Sequence, residues 1–286
     1  MVSNSIKKDL SLQPGQAGTG GSAAGADPVA TVRRKAKKWP DLLAFTVFSG
    51  LFMFLILRGA SAMDYKWQWA RVIPYLVRNV DGQLIPGVLL KGLHVTLEIS
   101  LFAMLIALPL GLLTALLNLS KRPVPVLIAR LYIEVIRNTP ILLQILIFYF
   151  IVAKVIGIDR WWAGVLTLAF YEGAFAAEII RGAILAVSRG QWEAAASLPL
   201  RSIDTYRFII LPQALPLMLP PLTGVLVNVV KHSSIVSVIA IFDLTNEGRS
   251  IATDTFMSFE IWLTVAGLYL LVTMSLSLVA AGLERK

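Results

Sequence analysis

"EAAASLPLRSIDTYRFIILPQALPLMLPPL" occupies residues 193–222. It is the least lipid-compatible stretch in the second half of a very apolar chain, and membrane-length apolar runs flank it on both sides. The residues just before it, in "RGQWEAAASL", are good helix formers, and Pro199 interrupts them. Ser202 can cap a second helix, with Asp204 in its first turn beside the positive end of the dipole. Pro212, Pro216, Pro220 and Pro221 then punctuate the return to the membrane. The expected object is a short helix–turn–helix over residues 187–221, held against one face of a bilayer. Small Ala194 and Ala195 would let another surface approach closely. A plain interfacial linker would be amphipathic in the same way, so these residues alone leave both readings open.

The flanking runs set the class. Of the 286 residues, 57% are hydrophobic and 15% charged, where soluble domains carry about 25% charged residues. The mean hydropathy is +0.74. Apolar runs at 42–57, 88–118, 126–153, 162–186, 222–242 and 261–283 predict about six transmembrane helices in an all-α membrane protein. That leaves no room for a separate soluble catalytic domain, and no catalytic residue is expected. Cysteine is absent, which excludes disulfides, thiolate metal sites and a cysteine nucleophile. His94 and His232 are the two imidazoles and lie far apart in sequence, so no metal site is expected.

The net charge of +9 is no sign of nucleic-acid binding, because residues 1–40 carry seven Lys/Arg against two Asp. Their segment "GQAGTGGSAAGADP" reads as disordered, and "RRKAKK" just before the first run reads as a positive-inside anchor that attracts anionic lipid. The first run then reads as an uncleaved signal-anchor. The aromatic stretch "MDYKWQWARVIPYLV" (63–77) suits a helix lying at the water–lipid interface. With the N-terminus inside, the cytoplasmic segments hold 17 of the 26 basic residues, placing both termini and the 187–221 loop in the cytoplasm.

The surrounding motifs give the loop a meaning. Glu-Ala-Ala followed by "IILP" (209–212) resembles the EAA loop of ATP-binding-cassette (ABC) importer permeases. "YIEVIRNTPILLQILIFYF" (132–150), "EGAFAAEIIRGAI" (172–184), "GQWEAAASL" (190–198), "LPQALPLMLPPL" (211–222) and "KHSSIVSVI" (231–239) are similar to the polar amino-acid uptake branch of that superfamily. "GLHVTLEISL" (92–101) matches its first core span. The resemblance covers residues 87–286 as a five-helix permease core, with 41–86 an added span and interfacial segment. It implies an inner-membrane subunit that moves a polar amino acid from periplasm to cytoplasm by alternating access. The loop becomes a coupling helix, with Gly190, Glu193, Ala194, Ala195, Leu198, Pro199, Leu211 and Pro212 at a separate ATPase. No GxxxxGK[ST] occurs, so this chain binds no cofactor of its own; ATP and Mg belong to an ATPase dimer. The further implied partners are a periplasmic amino-acid-binding protein and a second permease subunit, identical or paralogous. Two positions depart from the family: Pro199 stands where Gly is usual at the turn, and His232 where an acidic residue is common after Lys231.

Ionisable groups at membrane depth are costly and default to functional candidates. Glu178 and Arg181, three apart, can pair on one helix face; Glu134 and Arg137 repeat the spacing. Both read as gating or structural ion pairs. Glu98, Asn228, Lys231, His232 and Ser233 are candidates to line a translocation path. An ion-coupled secondary amino-acid transporter is the alternative, but it would show inverted repeats or paired interrupted spans. An intramembrane hydrolase would need an acid to orient His232 near Ser233, and none stands at helical spacing. Neither explains the loop.

Overall fold

The computed structural model describes residues 38–62 and 65–284. Most of the basic tail expected over residues 1–40 lies outside them. The chain divides into two units, Met1–Tyr65 and Lys66–Lys286. The first contributes α1 (Lys38–Ala62), exposed along its apolar stretch Leu42–Leu55.

The second unit opens with an element the sequence reading missed. In place of an interfacial helix, a 3₁₀ turn (Trp69–Arg71) and a short α2 (Ile73–Leu76) lead into an antiparallel hairpin of β1 (Val77–Val80) and β2 (Gln83–Pro86). The signal was the Asp-Gly pair. Asp81 and Gly82 both have positive φ, 51° and 80°, the geometry a two-residue type I′ turn demands.

Among the described residues, four helices are long and apolar enough to cross a bilayer, and a bent pair makes five. Of the expected six, α1 is not counted among these, its described apolar stretch being Leu42–Leu55. The four are α3 (Val88–Asn118), α7 (Arg160–Ala186), the run Ser202–Ile239, and α12 (Ser258–Glu284). The expected single span 126–153 is α4 (Pro123–Arg137) followed by α5 (Ile141–Ile147), a π-helical turn and α6 (Ala153–Ile156), bent by 108°. Pro140 causes the bend, since it disfavours helical backbone at Thr139. Gln144 Nε2 donates to the carbonyls of Ile136 and Thr139, each at 2.8 Å. Backbone acceptors freed at the break are thereby satisfied away from water.

Small residues organise the core. Ala103, Ala107, Gly111 and Ala115 recur every fourth residue along α3 and are buried against α7, which offers Ala169, Gly173, Ala176 and Ala177. With little hydrophobic force between helices in lipid, close backbone approach through small side chains supplies the packing energy.

The 187–221 segment forms α8 (Arg189–Ala196), a break, then α9 (Ser202–Thr205), a π turn (Tyr206–Ile210) and α10 (Leu211–His232), extended by a 3₁₀ segment (Ser233–Ile239). The helix–turn–helix is present, with two corrections. Ser202 is the first helical residue rather than the cap: Arg201, in extended backbone, holds the cap position with no side-chain bond. The prolines do not punctuate the return, because the helix runs through Pro216, Pro220 and Pro221. Pro212 lies in the first turn of α10, where no amide donor is needed. Proline repeats every fourth residue at 212, 216 and 220, so most missing donors fall along one side while the other keeps its ladder. Thr223 Oγ1 donates to the Pro220 carbonyl at 2.6 Å. Beyond the 3₁₀ segment, α11 (Leu244–Thr255) packs on α3 and α12.

Candidate functional site

The loop is seated rather than free. Val187 and Ala195 are buried, and Trp192 meets Tyr206 edge to face at 5.5 Å between ring centroids. These side chains continue a core built from Ala115 of α3, Ile180 and Ile184 of α7, and Ile210 and Ala214 at the start of the long helix. Gln213 Nε2 donates to Gln191 Oε1 at 3.2 Å and ties α10 to α8. Facing outward are Gly190, Glu193, Ala194, Leu198, Pro199 and Pro212, with Leu211 half-buried. Glu193 pairs with Arg189 at 3.2 Å, an exposed pair that contributes little. Ala195, expected at a partner's surface, is instead 2% exposed inside this chain's own core. A cavity of about 760 Å³ opens beside the seat, lined by Leu116, Leu119, Trp192, Leu198, Ile203 and Tyr206.

The turn shows how proline replaces glycine. The Ser197 amide donates to the Glu193 and Ala194 carbonyls, ending α8, and the Leu200 amide donates to Leu198 O at 2.8 Å. That bond brackets Pro199 as the central residue of a three-residue turn. The inverse γ-turn wants φ near −75°, close to the value the pyrrolidine ring imposes. No positive φ occurs between residues 187 and 221, so the geometry needs no glycine.

Deeper in the helices, Glu178 accepts from Arg181 Nε and Nη2 at 3.0 and 3.2 Å, as the spacing predicted. Arg137 does not pair with Glu134. It lies 3.6 Å from Glu178 and over the Phe175 ring, while Glu134 accepts from Asn138 Nδ2 at 2.8 Å. Helix α4 ends at Arg137, and its packing on α7 brings the guanidinium to a partner 41 residues away. Asn118, Arg130, Glu134, Glu178 and Arg181 line a polar cavity of about 320 Å³ where α3, α4 and α7 meet.

The candidate path residues are not one cluster. Glu98 lies 3.9 Å from His94, both on the outside of α3. Asn228 and Lys231 are exposed on α10, and Ser233 is buried, donating to the Val230 carbonyl. His232 has an acid after all: its Nδ1 lies 2.6 Å from Glu172 Oε1, with the Glu172 side chain 3% exposed. Tyr171 meets the imidazole edge to face at 5.4 Å. Glu172 was missed, although an acid in the middle of an apolar run was the available signal.

Past the end of the 3₁₀ segment, Asp243 caps α11, accepting from the amides of Asn246 (3.0 Å) and Thr245 (3.2 Å). Burial pushes its carboxyl up to about 6, with those two bonds and the Tyr269 hydroxyl opposing. Among the described residues no group of His, Asp and Glu is disposed to hold a metal.

The family described as binding-protein-dependent transport system inner membrane component matches residues 107–286. The glutamine transport system permease protein GlnP of Escherichia coli (strain K12) is 37% identical over 201 residues, 69% of this chain and 92% of that protein. GlnP of Shigella flexneri matches to the same extent, 37% over 201 residues. A crystal structure of an amino acid ABC transporter with histidines aligns at TM-score 0.68 and 34% identity, covering 77% of this chain and 99% of that one. An inward-facing structure of the MetNI methionine ABC transporter aligns at 0.63 with 18% identity, over 69% of this chain and 95% of that one, which shows the fold alone. The apolar helical bundle, the seated Glu-Ala-Ala loop and these alignments agree: the chain belongs to the binding-protein-dependent transport system inner membrane components, the permease subunits of ABC importers.

Proposed function

We propose that this chain carries a polar amino acid, of the glutamine class, from periplasm to cytoplasm by alternating access driven by ATP hydrolysis on a partner. The observation that carries the reading is the α8 seat. It presents Glu193, Leu198 and Pro199 outward while its inner side is locked into the ends of α3, α7 and α10. A push on α8 therefore moves three spans together, as a coupling helix requires. The printed names of the relatives support the substrate class.

In this reading residues 1–40 form a cytoplasmic tail, 41–86 an addition before the core, and 87–286 the permease domain, with both termini and the loop in the cytoplasm. The ATPase dimer docks at Gly190, Glu193, Ala194, Leu198 and Pro199. The other partners are a periplasmic binding protein and a second permease subunit, and ATP and Mg stay on the ATPase. Vesicles holding the full complex should take up glutamine only with ATP inside and binding protein outside. Uptake driven by an ion gradient without ATP would refute the reading. Single cysteines at Ile203 and Gln83, in a chain with no cysteine, should label from opposite sides of the membrane.

A further inference from the structure

The cavity of about 760 Å³ beside the α8 seat carries a charge pattern that the seat does not use. Two cations line it, Lys121 from the α3–α4 connection and Arg207 from the π turn, and no Asp or Glu does. Among the described residues neither cation makes an ion pair. Arg207 instead holds its guanidinium over the Phe208 ring at 5.3 Å. Ser202 and Thr205 add hydroxyls to the same wall. Glu193 on the adjoining helix is engaged with Arg189 at 3.2 Å and lines no part of the cavity.

The rest of the wall is mostly apolar, and it continues past the cavity. Ile203, Arg207 and Leu211 line it at four-residue intervals, and the next step along α10, Leu215, is 50% exposed on a membrane-crossing run. On α3, Leu116 lines the cavity and Leu112, one turn deeper, is 36% exposed. Exposed apolar rows on a span face acyl chains in a bilayer. Lys and Arg stems lie along such rows while their heads reach the headgroup level. A free phosphate or an acidic protein side chain would satisfy the cations and leave the apolar rows bare. A zwitterionic headgroup would bring an ammonium that meets no carboxylate. A negatively charged headgroup on a fatty chain fits both parts, and basic pockets between spans on the cytoplasmic side bind such headgroups.

We propose that this cavity binds an anionic phospholipid of the cytoplasmic leaflet. Its phosphate lies between Lys121 and Arg207, and an acyl chain follows Leu116, Leu211 and Leu215. The lipid thereby fills the space between the end of α3 and the helix–turn–helix. The assignment rests on the cytoplasmic placement of the loop, which the cysteine label at Ile203 tests by itself.

Trp192 lines the cavity and reports on its contents. The permease–ATPase complex is placed in phosphatidylcholine nanodiscs with a minor fraction of phosphatidylglycerol, bromine being carried on the acyl chains of one lipid or the other. The signal is the fluorescence quenched in wild type minus that quenched in Trp192→Phe, which separates Trp192 from the other tryptophans. Brominated phosphatidylglycerol should quench Trp192 at a mole fraction on the order of tenfold lower than brominated phosphatidylcholine, and excess inorganic phosphate should not compete. Lys121→Gln and Arg207→Gln should each reduce that preference by about fivefold, the attraction of one basic residue for anionic lipid. Arg122→Gln removes an equal charge from the same connection but outside the cavity, and should leave the preference in place. Equal quenching by both lipids in wild type overturns the site, as does a preference that falls as far with Arg122→Gln as with Lys121→Gln. A preference seen in the permease alone and lost in the complex gives the cavity to the ATPase and also overturns it. The readout involves no transport, so its failure leaves the import reading standing.

Discussion

The α3–α7 contact makes a prediction whose sign separates it from its alternative. Adding a methyl group at Gly111 would place the new Cβ 2.8 Å from Ala176 Cβ, 3.1 Å from Ala177 N and 3.1 Å from Gly173 O. Carbon atoms in good contact sit at about 3.5–4.0 Å, so the methyl arrives some 1 Å too close. Two of the three obstacles are backbone and cannot rotate away. The helices must part, and their interface loses dispersion contacts along its length. Overpacking of this kind costs about 1–3 kcal/mol. In an exposed helix Gly→Ala instead stabilises by about 1 kcal/mol. Gly182, on α7 with nothing within 4 Å of its would-be Cβ, supplies that control. Gly111→Ala should therefore lower the thermal midpoint of the purified chain in detergent by several degrees, on the scale of about 2–4 °C per kcal/mol. Gly182→Ala should hold or raise it. Adding Ala176→Gly removes the nearest obstacle and should restore part of the loss. A midpoint for Gly111→Ala at or above wild type would refute the close-approach account.

Pro199→Gly should preserve coupling, and Pro199→Ala should let α8 run on toward Ile203 and separate ATPase rate from uptake in reconstituted vesicles; if Ala couples as well as Pro, the break has no role in transmission. Asp243 gives the pH dependence. Its folded-state carboxyl, at about 6, lies above the ordinary 3.8, so the folded chain holds the proton more tightly. Its contribution to stability is full below about pH 4 and is lost as pH rises through 6, roughly 3 kcal/mol over that window. Asp243→Asn keeps a capping acceptor and should flatten the melting midpoint between pH 4 and 7, whereas Asp243→Ala loses the cap and should cost about 1 kcal/mol at low pH. An Asn variant with the wild-type pH slope would assign that slope to another group.

The sequence was legible where one helix carries the whole pattern. Val88–Asn118 and Arg160–Ala186 follow from apolar length alone, and Glu178–Arg181 from three-residue spacing. It was less legible at proline, which has opposite consequences in the two places it clusters. Pro140, at the start of α5, bends the chain by 108° from α4, and Gln144 donates to the freed carbonyls. Pro216 and Pro220 leave α10 continuous. The distinction lies in which neighbours meet the orphaned backbone groups, and those neighbours are not local in sequence.

The site residues follow the same division. Glu134 and Arg137 share the spacing of Glu178 and Arg181, yet only the second pair forms, because α4 ends at Arg137 and its packing on α7 brings the guanidinium to Glu178 instead. Glu172–His232 spans 60 residues, and no local pattern announces it. Pro199 lies between these cases. Its departure from the family was plain in the sequence, but the Leu200–Leu198 bond that makes proline fit belongs to the folded turn. Spacing along one helix therefore predicts a pair only when no packed neighbour offers a better partner. In a bundle of tilted spans, each ionisable side chain chooses between its own helix and the next: Arg137 goes to Glu178 on α7, which also holds Arg181, and Glu134 is left to the Asn138 amide.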